Sequence, residues 1–500
     1  MSDKLTQLKE VLAEVADLQS AASVLGWDQQ TYMPAGGSAA RGQQLATVTK
    51  IAHQKATSQD VGALLNDLRT QYAGADPGTD DAALVRVASR DYDKAVRVPP
   101  DFVAEHAVVT TKAFEAWAEA RSKADFAIFR PHLERVVELT KRYVSFFPPA
   151  DHPYDILLDD YEPGMKTAEV QAIFRMLRPR QVELVKLIAS RPPLNDKFLR
   201  RKYAEEKIWA FSGEVTRLFG YDWSRGRMDR APHPFETSFS VNDVRITNRF
   251  EPEGPLLTLF SAMHEAGHAM YEQGVNAAFE RTALAHGTSL AIHESQSRMW
   301  ENLVGRSLAF WEYLYPRLKK TFGSQLDGIG LKAFHRAINK VQPSLIRVNA
   351  DEATYNLHIM LRLELEIGMV EGAIAIRDLP EIWNTKMEEY LGVKPPNDAQ
   401  GVLQDIHWSY GSIGYFSTYA LGNLISAQLW EKINKDIGDL ESQLRAGKFE
   451  SLLDWLRKNI HRHGRKYDSQ DLIQRLTGSK ITPEPYIRYL SQKYSEIYGL

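Results

Sequence analysis

Residues 255–274 read PLLTLFSAMHEAGHAMYEQG, a run that opens on Gly254-Pro255, closes on Gly274 and carries two histidines four positions apart. Proline just inside the start and glycine at the end are helix start and stop signals. Residues four apart share a helix face, so His264 and His268 can present ring nitrogens to one ion. Glu265 then lies beside the open position of that ion, as the HExxH pattern requires. The blander reading, two histidines on a helix surface or in a core, is weakened by their place on a bounded helix.

Outward from this stretch the chain keeps a helical rhythm. Leu5, Leu8, Leu12, Val15, Leu18, Ala22 and Leu25 recur at steps of three and four, the spacing of one helix face, and Gly26 is expected to interrupt that first long helix. Similar patterns over residues 81–148, 167–220, 301–376 and 415–460 are separated by signals such as Phe147-Pro148-Pro149 and Lys394-Pro395-Pro396. The fold class is therefore predominantly all-α. One stretch departs: Thr237 to Val241, a turn at Asn242-Asp243, then Val244 to Thr247 alternate with period two and predict a small hairpin. With no internal repeat, low-complexity tract or Gly/Ser linker, residues 1–500 are expected to form one catalytic unit with no domain boundary marked in the sequence.

Composition narrows the function. Of 500 residues 44% are hydrophobic and 25% charged, the balance of a soluble globular protein. Sixty-one basic against 64 acidic residues leave a formal charge of -3, so no strong field draws the chain to nucleic acid or anionic lipid. There is no cysteine, which excludes disulfides and thiolate ligands and leaves His, Asp and Glu for any metal. The N-terminal MSDKLTQLKEVLAEVADL is amphipathic, with neither a signal-peptide h-region nor a membrane span, and a cytoplasmic protein is expected.

A catalytic metal needs a third protein ligand and a free position for water. Glu294, within His293-Glu294-Ser295 of the helical stretch 290–304, lies 26 positions after His268, enough for a turn and a returning helix. Glu280, His286 and His293 are rivals that spacing alone does not dismiss.

At this point the chain resembles the carboxypeptidase Taq family of thermostable-type metallocarboxypeptidases. The signatures stand in order: His233-Pro234-Phe235, Asp243-Val244-Arg245-Ile246-Thr247, His264-Glu265-Ala266-Gly267-His268, His293-Glu294-Ser295, Ile346-Arg347-Val348-Asn349-Ala350-Asp351-Glu352, and Gly401-Val402-Leu403-Gln404-Asp405-Ile406-His407-Trp408. The resemblance extends to Trp27-Asp28 through Met33-Pro34, Tyr154-Asp155 through Glu162-Pro163-Gly164, and Tyr486-Ile487-Arg488-Tyr489-Leu490, so it covers nearly the whole chain. It implies an all-α fold similar to the neurolysin and angiotensin-converting-enzyme group, with two lobes and a deep cleft. It also implies one zinc or cobalt ion, a homodimer, and Glu294 as third ligand. The expected substrates are peptides with a free C-terminus, cut one residue at a time with broad specificity.

The remaining chemistry assigns roles. A metal lowers the pKa of its water towards about 7, and Glu265 beside it can take the proton and pass it to the leaving amine. The oxyanion needs further donors, for which His407, Tyr410, Tyr415 and Tyr419 are candidates. Gly414 to Tyr419 looks like the Gly-Tyr segment that donates tyrosine hydroxyls in related peptidases, and on a helix Tyr415 and Tyr419 would share a face; core packing of these rings is the alternative. A terminal carboxylate suits a planar guanidinium. Arg347 is the first candidate and Arg245 the second, with an ion pair from Arg347 to Asp351 as the structural alternative; Tyr410 and His233 join them as substrate-binding candidates. In the hairpin, Asp243, Arg245 and Thr247 share one face, and the strand edge suits an extended peptide. An endo-oligopeptidase or dipeptidyl carboxypeptidase would share the metal helix and differ in the carboxylate clamp. A silent peptide-binding protein would be expected to lack Glu265 or a ligand, and none is missing.

Overall fold

The computed structural model describes residues 3–500, so Met1 and Ser2 of the N-terminal stretch lie outside the described residues. The described chain is helical apart from one three-stranded sheet. It forms two compact units, residues 1–96, 196–335 and 429–476 in the first and 97–195, 336–428 and 477–500 in the second. Neither is contiguous. Residues 335/336 and 428/429 fall inside helices Leu331–Ile338 and Ser417–Ile437, so at these two crossings the chain changes unit without a linker for composition to reveal.

In the first unit helix Asp3–Thr31 packs along helix Ser38–Ala56, and Leu5 and Leu8 join Val61, Leu65 and Leu68 of the next helix in one apolar cluster. Gly26 does not end the first helix, which continues to Thr31. One internal glycine costs a helix about 1 kcal/mol relative to alanine, less than the roughly 1.5–3 kcal/mol expected from burying a large side chain, and the next residue, Trp27, is buried on the same helix. Pro34 follows the helix end.

The sheet corrects the two-stranded hairpin. Strands β1 (Met228–Arg230), β2 (Glu236–Ser240) and β3 (Asp243–Asn248) lie in the order β1-β3-β2, with β3 antiparallel to β2 and parallel to β1. Three residues are too few to show alternation, which hid β1. A register shift between Ser238 and Ser240 bulges β2. Val244 and Ile246 are fully buried, and β3 packs on helix Pro255–Gly274.

That helix starts with Pro255 in its first turn and is buried on nearly every side. A Cβ at Gly274 would come within 2.6 Å of the His461 ring, and one at Gly267 within 2.6 Å of Ser297 Cα and 2.7 Å of the Gln296 carbonyl. Gly267 thus lets the helix press directly on the backbone of helix Leu290–Arg298. Around Gly26 nothing lies within 4 Å of a Cβ.

The second unit is organised on helix Glu352–Glu371, which Asp351 caps by accepting from the Ala353 and Thr354 N–H groups and which Gly372 ends at φ 79°. Almost every residue of this helix is buried, including Asn356, His358, Arg362 and Glu366.

The two glycines should respond oppositely to alanine. Gly267→Ala is expected to destabilise the protein by about 1–3 kcal/mol through overpacking, whereas Gly26→Ala should stabilise it by up to about 1 kcal/mol. Denaturant midpoints measure both, and the reverse order would reject the packing account.

Candidate metal centre

His264 and His268 stand one turn apart on helix Pro255–Gly274, and their Nε2 atoms each lie 3.5 Å from Glu294 Oε2 on helix Leu290–Arg298. The ligand atoms of the three residues all lie within 4.8 Å of one another. The far nitrogen of each ring is already engaged. His264 Nδ1 meets Glu301 at 2.9 Å, and His268 Nδ1 meets His293 Nδ1 at 2.8 Å. His293 in turn reaches Glu272 through Nε2 at 2.8 Å. Since the Glu272 carboxylate can only accept, His293 donates from Nε2 and accepts at Nδ1, so His268 donates from Nδ1. Both metal-helix histidines therefore keep the Nε2 lone pair free towards Glu294.

Glu294 is held just as firmly. Arg298 Nε donates to its Oε1 at 2.7 Å and Ser297 Oγ to its Oε2 at 3.0 Å. Arg298 also donates to Glu301 at 3.2 Å, as does Arg306 at 3.4 Å. Glu301 sits on a π-helical turn, Met299–Val304, that continues helix Leu290–Arg298; such widened turns recur where a side chain must be re-aimed at a site. Two imidazole nitrogens and one carboxylate oxygen, each fixed from behind, fit a divalent cation with one position left for water.

Burial and charge oppose each other throughout. Burial pushes Glu265 up to about 7, with the neighbouring Glu294 and Glu301 carboxylates adding to the effect and His264 opposing it. Burial likewise pushes His268 down to about 3. For His264 burial works against the charged ring, but Glu294 and Glu301 outweigh it and hold the ring above the usual imidazole value. Burial would raise Glu294 and Glu272 as well. Arg298 and the two histidines hold Glu294 well below the carboxylate range, and hydrogen bonds from His286 and His293 do the same for Glu272.

The rivals for third ligand lie elsewhere. Glu280 accepts the Val241 N–H at 2.9 Å, His286 bonds Glu272 and Ser238, and His293 supports His268 from behind. Arg245 is clasped by Asp243 through two bonds of 2.7 Å and lies over the Trp27 and Phe239 rings. His233 is in the exposed turn before β2, its carbonyl accepting from Thr247 at 3.4 Å.

The second unit gathers most of the other candidates. Arg347 is buried, donating from Nε to Asp405 at 2.9 Å and from Nη1 to the Tyr355 hydroxyl at 3.0 Å. Its ionic partner is thus Asp405, not Asp351, whose carboxylate is committed to the helix cap. The other oxygen of Asp405 accepts from Arg362 Nε at 2.7 Å. His407 Nε2 lies 3.5 Å from the Tyr419 hydroxyl, and burial pushes the ring down to about 4. Tyr415 packs on His407, Tyr419 and Tyr161 at 5.3, 5.2 and 5.2 Å. Tyr415 and Tyr419 do not share a helix face, because the helix begins at Ser417 and Gly414, at φ 104°, bends the chain ahead of it. Tyr410 is separate from this cluster, half exposed and stacked on Phe114 at 5.3 Å.

Sequence reading missed Glu301, Arg298, Glu272, Arg362 and Glu366. A usable signal was present: Glu294, Arg298 and Glu301 recur at four and three, as do Tyr355, His358, Arg362 and Glu366 in a helix otherwise mostly apolar. Polar groups on a buried face must find partners.

Known proteins resemble the chain over nearly its whole length. A family model described as carboxypeptidase Taq (M32) metallopeptidase matches residues 7–494. Thermostable carboxypeptidase 1 of Thermus thermophilus is 40% identical over 502 residues, covering 98% of each chain. Carboxypeptidase 1 of Bacillus subtilis is 36% identical, again over 98% of each chain. The crystal structure of an M32 carboxypeptidase from Deinococcus radiodurans matches with a TM-score of 0.97 at 41% identity, covering 100% of both chains.

Removing the support behind a ligand should weaken metal binding without abolishing it. Glu301→Gln is expected to lower affinity about 10- to 100-fold, Glu294→Ala to lose stoichiometric metal, and Glu280→Ala to change neither. Chelator competition measures all three; loss of metal in Glu280→Ala with retention in Glu294→Ala would overturn the ligand set.

Proposed function

We propose that this chain, which belongs to the carboxypeptidase Taq (M32) family of metallopeptidases and is a metallocarboxypeptidase, binds one zinc ion through His264, His268 and Glu294 and releases single residues from free peptide C-termini with broad specificity. The observation that carries this reading is the convergence of His264 Nε2, His268 Nε2 and Glu294 Oε2 beside the buried Glu265 carboxyl. Cobalt would suit the same N, N, O donor set.

A bound metal would acidify a water molecule and polarise the scissile carbonyl. Glu265 takes the proton of the attacking water and later gives it to the departing amine. His407, Tyr415 and Tyr419 supply donors for the developing oxyanion. Arg347 takes the substrate carboxylate, and its planar head is already oriented by Asp405 and Tyr355. Arg245, whose Nε and Nη2 are held by Asp243, is the second choice. Tyr410 and His233, both exposed, are available as further peptide contacts, and β2 at the sheet edge offers main-chain groups to an extended chain.

No described helix is long and apolar enough to cross a membrane. We extend the proposal to a cytoplasmic location, which the cysteine-free composition suits, and to a homodimer, which the family resemblance implies.

Glu265→Gln should keep its metal yet lose on the order of 10²–10⁴ in turnover, because an amide cannot accept the proton; near-parental turnover would remove Glu265 from this role. Arg347→Ala removes a charge-assisted contact worth roughly 1.5–3 kcal/mol, so kcat/KM on free-acid peptides should fall on the order of ten- to a few-hundredfold. C-terminally amidated peptides should be poor substrates of the parent and lose much less. Equal losses on acid and amide would reject Arg347 as the clamp. An endopeptidase would cut both forms in the parent enzyme.

A further inference from the structure

The fully buried carboxyl of Glu366, on helix Glu352–Glu371, receives three donors from two other parts of the second unit. Trp408 Nε1 donates at 2.8 Å, the Gly414 N–H at 3.0 Å and the Tyr154 hydroxyl at 2.6 Å. Trp408 follows His407 and Gly414 precedes Tyr415, so two of those bonds grip the segment 407–415 beside each of its candidate catalytic side chains. Burial pushes the Glu366 carboxyl up to about 7, and the three donors pull the other way.

The segment has little other freedom. Gly414 holds a backbone conformation at φ 104° that other residues rarely adopt, and a Cβ there would lie 2.5 Å from the Leu157 carbonyl. Leu157 belongs to helix Pro153–Asp159, which also carries Tyr154. On helix Glu352–Glu371 itself, Glu366 continues a polar stripe in which Tyr355 meets Arg347 and Arg362 meets Asp405. One buried helix thus meets Arg347 directly and grips the residues next to His407 and Tyr415.

We infer that Glu366 is a positioning residue of the reaction: its carboxylate, by clasping Trp408 and Gly414, fixes where His407 and Tyr415 present their donors. The inference rests on the reading, given above, that those two side chains serve the oxyanion. A carboxyl that only filled the core would matter to stability alone. A positioning carboxyl must also set kcat, since a displacement of about 1 Å in a catalytic donor costs up to roughly 10²-fold.

The test compares isosteric variants of the intact, metal-loaded enzyme. Glu366→Gln replaces one acceptor oxygen with a donor that faces existing donors, Trp408→Phe removes one grip on the segment, and Tyr154→Phe removes the donor outside it. Glu366→Gln and Trp408→Phe should lose between about tenfold and 10²-fold in kcat, with little change in KM and parental metal content. Tyr154→Phe should lower the unfolding temperature while keeping kcat within about twofold of the parent. The inference is overturned if Glu366→Gln keeps parental kcat, or if Tyr154→Phe loses as much kcat as Glu366→Gln. Tyr415→Phe and His407→Gln separate the underlying reading. If both are as active as the parent while Glu366→Gln is slow, the oxyanion role of the segment fails and this inference with it. If they are slow while Glu366→Gln is not, only the inference fails.

Discussion

Two imidazoles on successive helical turns can aim their Nε2 lone pairs at one point only if something holds the proton on the opposite nitrogen of each ring. Glu301 does this for His264, and His293, itself oriented by Glu272, does it for His268. Much of the first unit's local architecture follows from that requirement. Glu301 and His293 lie on either side of Glu294 along one helical stretch, so a single neighbouring element delivers the third candidate ligand and both supports. For that element to reach, the two helices must approach until backbone nearly touches backbone. Gly267 permits it, and the π-helical turn sets the direction from which Glu301 arrives.

Electrostatics imposes the next constraint. Glu265, Glu294, Glu301 and Glu272 are all buried or nearly so, and four carboxylates in a low dielectric would repel one another and take up protons. Arg298 answers two of them at once, while His286 and His293 answer Glu272. Burial raises all four, but for Glu294, Glu301 and Glu272 these partners outweigh it and hold the carboxyl low, whereas Glu265 stays raised. A raised carboxyl beside three that are held low suits the proton-carrying role proposed for Glu265.

How much of this was legible follows from which interactions are local in sequence. His264, Glu265 and His268 could be read because helical spacing alone brings them together, and the long amphipathic stretches could be read because one face of each is buried. Glu294 needed the family resemblance, since spacing left Glu280, His286 and His293 equal to it, and only the three-dimensional return of the chain separates them. β1 was too short to show a period. Gly26 carries a turn signal that the burial of Trp27 overrides. Tyr415 was misplaced onto a helix because the bend at Gly414 depends on contact with the Leu157 backbone, which no local pattern announces. The crossings between the two units at 335/336 and 428/429 are not marked in the sequence, since there the chain passes from one to the other within helices, where composition does not change.

Buried ion pairs rarely repay their desolvation with net stability, and well-packed apolar residues of similar size often serve a core as well or better. The Arg347–Asp405–Arg362 cluster and the Glu366 clasp on a helix that could have been wholly apolar therefore ask for a reason other than stability. Hydrophobic contacts are non-directional and tolerate sliding, whereas a carboxylate shared between two guanidiniums, or receiving three donors, admits one arrangement. The metal helix solves the same problem with carboxylate–histidine pairs. Each unit thus uses buried polar groups to fix direction where packing alone would fix only proximity, and such directional control is what the oxyanion role proposed for His407 and Tyr415 would require.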